Sequence, residues 1–137
     1  MRLPLPLLGA LSGVLLLSAC SHDAAAPAAF PLPATSSFDA GTCTVVAPDV
    51  VALGRAARRL GPGPTAPDGV EKDLETAQKA LQAVAETAEP ALKPTLDAVV
   101  TRAGLVRLAL DAKRYDATMA EPLRQSYGAL VKTCTSS

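Results

Sequence analysis

Side chains capable of acid–base, nucleophilic or metal chemistry are few in this sequence and widely spaced. The single histidine, His22, lies in an alanine- and proline-rich stretch where no packed neighbour could orient it as a catalytic base. The carboxylates do not pair for acid–base work, because Glu71, Asp73 and Asp111 fall at expected helix ends or on polar faces. We therefore expect no enzymatic activity, no bound metal and no cofactor in this chain.

Charge and composition exclude further classes of protein. Thirteen basic and thirteen acidic residues leave no net charge, so the chain lacks the positive surface on which nucleic acid binding depends. Beyond His22 the sequence has no histidine, and Met119 is the only methionine of that region, which leaves no pair of axial ligands for haem. We expect neither nucleic acid nor haem as a partner.

The first twenty residues have the pattern of an export signal. Met1-Arg2 is positively charged, residues 3–17 form an apolar run, and Leu17-Ser18-Ala19-Cys20 places small residues before a cysteine. This pattern resembles the lipobox of bacterial lipoprotein signal peptides. The resemblance implies that residues 1–19 are removed and that Cys20 carries a diacylglyceryl group with acyl chains such as palmitate. The mature chain would then be anchored at the extracytoplasmic face of the cell membrane.

Two other interpretations of the same segment remain open. A transmembrane anchor would need about 20 uninterrupted apolar residues. The run here is shorter and contains Pro4 and Pro6. Secretion with cleavage at a different site is the second alternative, because small residues also mark ordinary cleavage sites.

The resemblance also bears on the two remaining cysteines. With Cys20 assigned to lipid, Cys43 and Cys134 are left as a pair in a compartment where disulfides persist, which favours a disulfide between them. A zinc site on the same two thiolates would need two further ligands and is the less favoured alternative.

Residues 20–42 are dominated by alanine, proline and serine, which predicts a disordered tether between the lipid and a folded domain. Phe30 and Phe38 lie in this stretch, and we expect both to be solvated, with docking on the domain as the alternative. Because the tether leads directly to Cys43, we expect the disulfide end of the domain to face the membrane. Residues 55–59 and 113–116 would then point outward.

Apolar residues recur at helical spacing in four successive stretches, which predicts four amphipathic helices. The first is expected to begin near Pro48, the second at an Asp68 cap paired with Glu71, and the fourth near Thr118 paired with Glu121. The apolar stripes are Cys43, Val46, Val50, Leu53, Ala57 and Leu60; Val70, Leu74, Ala77, Leu81, Val84 and Ala88; Leu92, Leu96, Val99, Ala103, Val106 and Leu110; and Met119, Leu123, Tyr127, Leu130 and Cys134.

These helices predict an all-α domain over residues 43–134, followed by a tail of residues 135–137. We expect an antiparallel up-down-up-down four-helix bundle, because that topology places the start of the first helix and the end of the fourth together for the disulfide. Leu105 and Leu108, beside Gly104, fall opposite the apolar stripe of the third helix. They are either ordinary surface leucines or a contact for a partner helix.

The organisation of the whole chain is similar to that of small alanine-rich lipoproteins of GC-rich, actinobacterial species. This similarity favours a structural or protein-interaction module of the cell envelope, with an envelope protein as its partner. The alternative is a binding protein for a small apolar ligand held between the helices. A closed core would favour the first function, and an open apolar cavity would favour the second.

Overall fold

The computed structural model describes residues 30–136, and within this range it contains four α-helices and no strand. The helices are α1 (Thr42–Arg58), α2 (Val70–Ala85), α3 (Lys93–Asp111) and α4 (Ala120–Cys134). Short 3-10 turns occupy Thr35–Ser37 and Ala117–Met119. The predicted all-α fold is thus confirmed, whereas Cys20, His22 and the signal segment lie outside the described residues.

The apolar stripes predicted from the sequence form the core. Each of the four helices buries most of its stripe, and within residues 30–136 no charged or amide side chain is fully buried. The stripe residues that are only partly buried are Cys43, Leu60, Val84, Ala88 and Met119. Each helix packs against the next one along the chain, while α1 and α4 approach each other at far fewer positions. The largest side chains with almost no exposure are Leu53, Leu74, Leu81, Leu96, Leu123, Tyr127 and Leu130.

A disulfide joins Cys43, in the first turn of α1, to Cys134, the last residue of α4. The two Cα atoms are 5.3 Å apart, which is within the ordinary range for such a bond. Close by, the backbone N–H of Asp39 donates a 2.7 Å hydrogen bond to the Cys134 carbonyl. The predicted cysteine pair is therefore present, and it links two helices that contact each other less than any consecutive pair does.

Helix α1 begins at Thr42 and not near Pro48 as predicted. Gly41 precedes it with a φ of 86°, and the Thr44 hydroxyl donates a 2.7 Å hydrogen bond to the Asp39 carbonyl. Pro48 lies inside the helix and deprives the Thr44 carbonyl of its usual donor. Thr44 and Pro48 are both exposed, so water can hydrate that carbonyl and the helix tolerates the proline.

The predicted Asp68 cap of α2 is wrong. Gly69 occupies the cap position with a φ of 84°, and no side chain bonds to the first turn. Asp68 instead offers its backbone carbonyl to the Arg59 guanidinium at 2.8 Å, and the same guanidinium pairs with Asp73 at 3.1 Å. Arg59, which follows α1, is therefore linked to both the start of α2 and the residue before its cap.

The start of α4 also differs from the prediction. Asp116 caps the preceding 3-10 turn, because its side chain accepts a 2.8 Å hydrogen bond from the Thr118 N–H. Glu121 does not cap Thr118 but pairs with Arg124, one turn along α4. Tyr115, expected in the last loop, lies there but is buried, with 4% of its surface exposed.

Residues 30–41, here termed the docked segment, pack against the helices. Phe30 is 4% and Phe38 8% exposed, so the expected solvation of both phenylalanines is wrong, and the disordered tether does not extend over these residues. The cause is the gap between α1 and α4, where apolar side chains of the segment replace direct contact between the two helices.

The docked segment meets the domain at the opposite end from the one expected. Phe30 lies beside Arg58, the last residue of α1, to which its carbonyl is hydrogen-bonded at 2.6 Å. At 1.5 Å per residue, Arg58 is about 22 Å along α1 from Cys43. The described chain therefore meets the domain at the end opposite the disulfide, which contradicts the expectation that it leads first to Cys43.

Candidate functional site

The docked segment is held by aromatic and backbone contacts between α1 and α4. The Phe30 ring meets Tyr127 edge to face, with centroids 5.6 Å apart, and the Arg124 guanidinium lies 5.4 Å from the Phe30 centroid. The Tyr127 hydroxyl donates a 2.8 Å hydrogen bond to the Pro31 carbonyl. These contacts hold Phe30 and Pro31 between the C-terminal end of α1 and α4.

Gly54 makes this docking possible. A Cβ atom built at position 54 would overlap the Tyr127 hydroxyl and would lie 2.7 Å from Cδ2 of Leu32. Glycine in the middle of a helix costs roughly 0.5–1 kcal/mol relative to alanine. At Gly54 this cost is offset by packing, because the Leu32 and Tyr127 side chains occupy the space that a Cβ would fill.

Tyr127 is the polar end of an otherwise apolar contact. Its side chain is fully buried, and burial raises the pKa of its phenol to about 12. The phenol is therefore neutral over the physiological range and available as a donor to Pro31. Arg58, which holds the Phe30 carbonyl, lowers the pKa of Tyr127 by a smaller amount.

Beside Phe30, an open apolar hollow lies between the C-terminal end of α1 and the start of α4. This end groove has a volume of about 1030 Å³ and is lined mostly by carbon atoms. Three separate parts of the chain form it: residues 60–62 after α1, residues 115–118 before α4, and residues 120–124 in α4. Its volume lies at the upper end of the range usual for small-molecule sites.

Arg124 joins the end groove to the docked segment. Its side chain lines the groove, pairs with Glu121 and lies over the Phe30 ring. Tyr115, on the opposite wall, is buried, and this burial together with the adjacent Asp116 carboxylate raises the pKa of its phenol. Nη1 of Arg124 is paired with Glu121, whereas its buried Nε has no hydrogen-bond partner among residues 30–136. The rest of the lining is mostly apolar, which suits an uncharged guest.

A second candidate site lies on the surface of α2 and α3. Leu105 is 47% and Leu108 59% exposed, which agrees with their predicted position opposite the stripe of α3. With Val100 and Gly104 they form what we term the leucine face, beside a hollow of about 380 Å³. On the α2 side, this hollow is lined by Gln78 and Gln82.

Gly104 does not provide an open position for a partner backbone. A Cβ atom at residue 104 would lie 2.8 Å from Nε2 of Gln78, so the glutamine side chain of α2 already occupies that space. Gln78 Oε1 is buried and accepts no hydrogen bond from the described residues. The glycine therefore serves packing between α2 and α3, and the protruding leucines are what the leucine face offers to a partner.

Sequence reasoning identified the leucine face and the cysteine pair but not the end groove or the docked segment. Gly54 was the available signal, because a glycine on the buried stripe of a helix marks close approach by another part of the chain. Leu105 and Leu108 are not brought near the disulfide, and Cys20 lies outside the described residues.

Residues 30–136 contain neither a clustered set of metal ligands nor a membrane-spanning helix. This range holds no group of three or more histidine, cysteine, aspartate or glutamate side chains placed to bind a metal ion. Nor does any helix in it combine the length and hydropathy needed to cross a membrane.

Comparison of the chain with protein-family models, curated proteins and solved structures finds no significant match.

Proposed function

We propose that this chain is a lipid-anchored protein on the extracytoplasmic face of the cell membrane, where its helical domain acts as a non-enzymatic interaction module of the envelope. The observation that carries the interaction role is the leucine face. The apolar stripes of the four helices form the core, and Leu105 and Leu108 lie outside it. These two exposed leucines, one turn apart, would be removed from water by a binding partner, which favours association.

We infer an up-down-up-down arrangement for the four helices. It is supported by the packing of each helix against the next and by the disulfide between the start of α1 and the end of α4. The docked segment completes this arrangement by filling the gap between α1 and α4. The leucine face, on α3, then lies on a side of the domain that the docked segment does not cover.

Anchoring through Cys20 would place the α1 C-terminal end of the domain nearest the bilayer. Residues 21–29 separate Cys20 from Phe30, and a fully extended chain of that length spans at most about 36 Å. Phe30 is held beside Arg58, close to the end groove. The end groove must therefore stay within reach of Cys20, whereas the disulfide, at the other end of α1, can lie farther from it. In this orientation the leucine face is directed along the membrane plane, toward neighbouring envelope proteins.

Replacing Cys20 tests the anchor. We expect the unaltered protein to sediment with membranes and its mature mass to equal residues 20–137 plus a diacylglyceryl-based lipid. Cys20→Ser should retain residues 1–19 and carry no lipid, because the acceptor sulfur is gone. Intact-mass measurement of membrane and soluble fractions decides between these states. Cys43→Ser, which removes a different cysteine, should leave the lipid in place, and an unmodified Cys20 in the unaltered protein would disprove the anchor.

For the leucine face we propose an amphipathic helix of an envelope protein as the partner. Val100, Gly104 and Leu108 follow one another at steps of four along α3, and Leu105 lies beside them. Such a row accepts the apolar side of a helix, with anchors repeated at each turn. The glutamines of α2 and Asp97 supply a polar rim, as in other helix-binding grooves.

The double variant Leu105→Ala and Leu108→Ala should lose the partner and keep the fold. Both side chains are already largely exposed, so we expect a change in unfolding free energy within about 0.5 kcal/mol. A photo-crosslinking residue at position 105 should form one dominant adduct in cells, and peptide mapping should place it on an amphipathic helix.

Val45 supplies the matched control, because it is an exposed apolar residue on α1, 63% accessible and remote from the leucine face. A crosslinking residue there should give no such adduct. A stability loss above about 2 kcal/mol in the double variant would mean that the leucines serve the core. Adducts formed equally at positions 45 and 105 would contradict a specific partner.

The alternative function, binding of a small apolar ligand, is favoured by one observation, the end groove. This hollow lies beyond the end of α1 and not between the buried stripes of the helices. Its carbon-lined walls suit a hydrocarbon guest better than a polar metabolite.

A further inference from the structure

We infer that the end groove holds an acyl chain of the lipid carried by Cys20 of the same molecule. This inference rests on the proposed lipidation of Cys20 and adds to it a binding site and its ligand class, a saturated hydrocarbon chain. The site consists of Leu60, Pro62, Tyr115, Ala117 and Pro122, with Arg124 at its border with the docked segment.

The shape and chemistry of the groove select a hydrocarbon chain. A volume of about 1030 Å³ far exceeds the hollow of about 380 Å³ beside the leucine face, and its lining is mostly carbon. The charged groups at its edge, Arg124 and Glu121, are paired with each other. A charged guest would lose its hydration against these apolar walls, whereas an acyl chain pays no such cost.

The position of Phe30 brings the lipid to this groove. The Phe30 ring lies against Arg124, a groove residue, so the N-terminal end of the docked segment lies at the border of the groove. Residues 21–29 allow the Cys20 sulfur to lie anywhere within about 36 Å of Phe30, which includes the whole groove. A tethered ligand within such a short reach has an effective concentration in the millimolar range.

Occupation by one acyl chain is compatible with anchoring. A single acyl chain binds a membrane only marginally, and two chains bind it stably. A lipid-modified Cys20 with two or three chains can place one in the groove and leave the others in the bilayer. The domain would then be held with the groove against the membrane surface, and the strength of anchoring would depend on how many chains remain outside.

A photoactivatable fatty acid tests this site in the full chain. Cells that produce the protein are supplied with palmitic acid carrying a terminal diazirine, irradiated, and the membrane protein is digested with trypsin. We expect the lipidated peptide that begins at Cys20 to be joined, through its acyl chain, to the peptides 60–72 or 115–124 of the same molecule. Crosslinks of these peptides to phospholipid would assign the groove to a bilayer lipid and overturn the inference.

Two groove-filling variants provide the specificity test. Ala117→Trp and Gly61→Leu introduce side chains into the groove at positions that are not tightly packed, and each should abolish the crosslink. Ala129→Trp, at an exposed position of α4 outside the groove, should leave it unchanged. Melting temperatures measured in parallel identify any variant that fails to fold.

The outcomes separate this inference from the anchor on which it rests. Lipidated Cys20 with no crosslink to the groove peptides would overturn the site and leave the anchor standing. Persistence of the crosslink in both folded groove variants would also overturn it. A Cys20 without lipid would overturn the anchor and the site together.

Discussion

Reduction of the Cys43–Cys134 disulfide is expected to lower the free energy of unfolding by about 4 to 5 kcal/mol. The two cysteines are 91 residues apart in the sequence, so the bond closes a loop that includes nearly all of the helical domain. In the chain-entropy model the stabilisation grows with loop length, because the cross-link restricts the unfolded chain. A loss of this size is a large share of the 5 to 15 kcal/mol that is typical of domains.

The position of the disulfide also contributes to its expected effect on stability. The helices α1 and α4 contact each other less than any consecutive pair does, and Cys43 and Cys134 join them covalently at one end. Without the bond, the hydrogen bond from Asp39 to the Cys134 carbonyl would have to hold that end. We expect the ends of α1 and α4 to fray first in the reduced protein.

Urea unfolding followed by circular dichroism, with and without dithiothreitol, measures this effect. The double variant Cys43→Ser and Cys134→Ser should be as unstable as the reduced protein and should not respond to dithiothreitol. An unfolding midpoint that is the same in both redox states would contradict the prediction. So would alkylation of both thiols in the exported protein without prior reduction.

The helices and their buried faces could be predicted from the sequence because both depend on local periodicity. A stripe such as Leu92, Leu96, Val99, Val106 and Leu110 can be buried only if the chain is helical, whatever its neighbours are. All five are buried, Leu92 at the N-cap of α3 and the other four inside it. The boundaries were harder to predict, since the start of α1 depends on Gly41 and on contacts of Thr44 with Asp39, not on Pro48.

The docked segment could not be predicted from composition, because its burial depends on a gap that only the packed helices create. Alanine, proline and serine around Phe30 and Phe38 are typical of a tether. Yet two phenylalanines and Leu32 provide enough apolar surface once α1 and α4 offer a complementary channel. Gly54, on the buried side of α1, was the one local sign of that channel.

The leucine face and the end groove also differ in whether the sequence could predict them. The leucine face could be predicted because Leu105 and Leu108 belong to one helix, and their exposure follows from their angle to the stripe. The end groove could not, because residues 60–62, 115–118 and 120–124 come together only through the tertiary fold. Its proximity to Phe30 depends in turn on the docked segment.

Phe30→Ala should detach the docked segment and lower the free energy of unfolding by about 3 kcal/mol. Truncation removes a ring that is 4% exposed, together with its contacts to Tyr127 and Arg124. The backbone contacts that remain, from Arg58 to the Phe30 carbonyl and from Tyr127 to the Pro31 carbonyl, would become exposed to water. Exposed hydrogen bonds contribute little, so the segment should open while the four helices stay folded.

Hydrogen exchange measured by mass spectrometry distinguishes local opening from general loss of stability. In Phe30→Ala, the amides of Ser37, Phe38 and Asp39, which are hydrogen-bonded in the docked segment, should exchange much faster, while those of α2 and α3 should change little. Gly54→Ala should reproduce this pattern, because its Cβ would displace Leu32 and Tyr127 from the other side of the same contact. Val45→Ala, which shortens an exposed side chain of α1, should match the unaltered protein in every segment.

With the proposed lipid on Cys20, opening of the docked segment should also change how far the domain can move from the membrane. With Phe30 in place, residues 21–29 link Cys20 to the domain, and the maximal span is about 36 Å. With the segment released, the link extends to Gly41, just before α1, and its maximal span rises to about 76 Å. Energy transfer from a dye on α3 to labelled lipids should therefore fall in Phe30→Ala. Unchanged transfer alongside faster exchange at residues 37–39 would show that another contact holds the domain at the membrane.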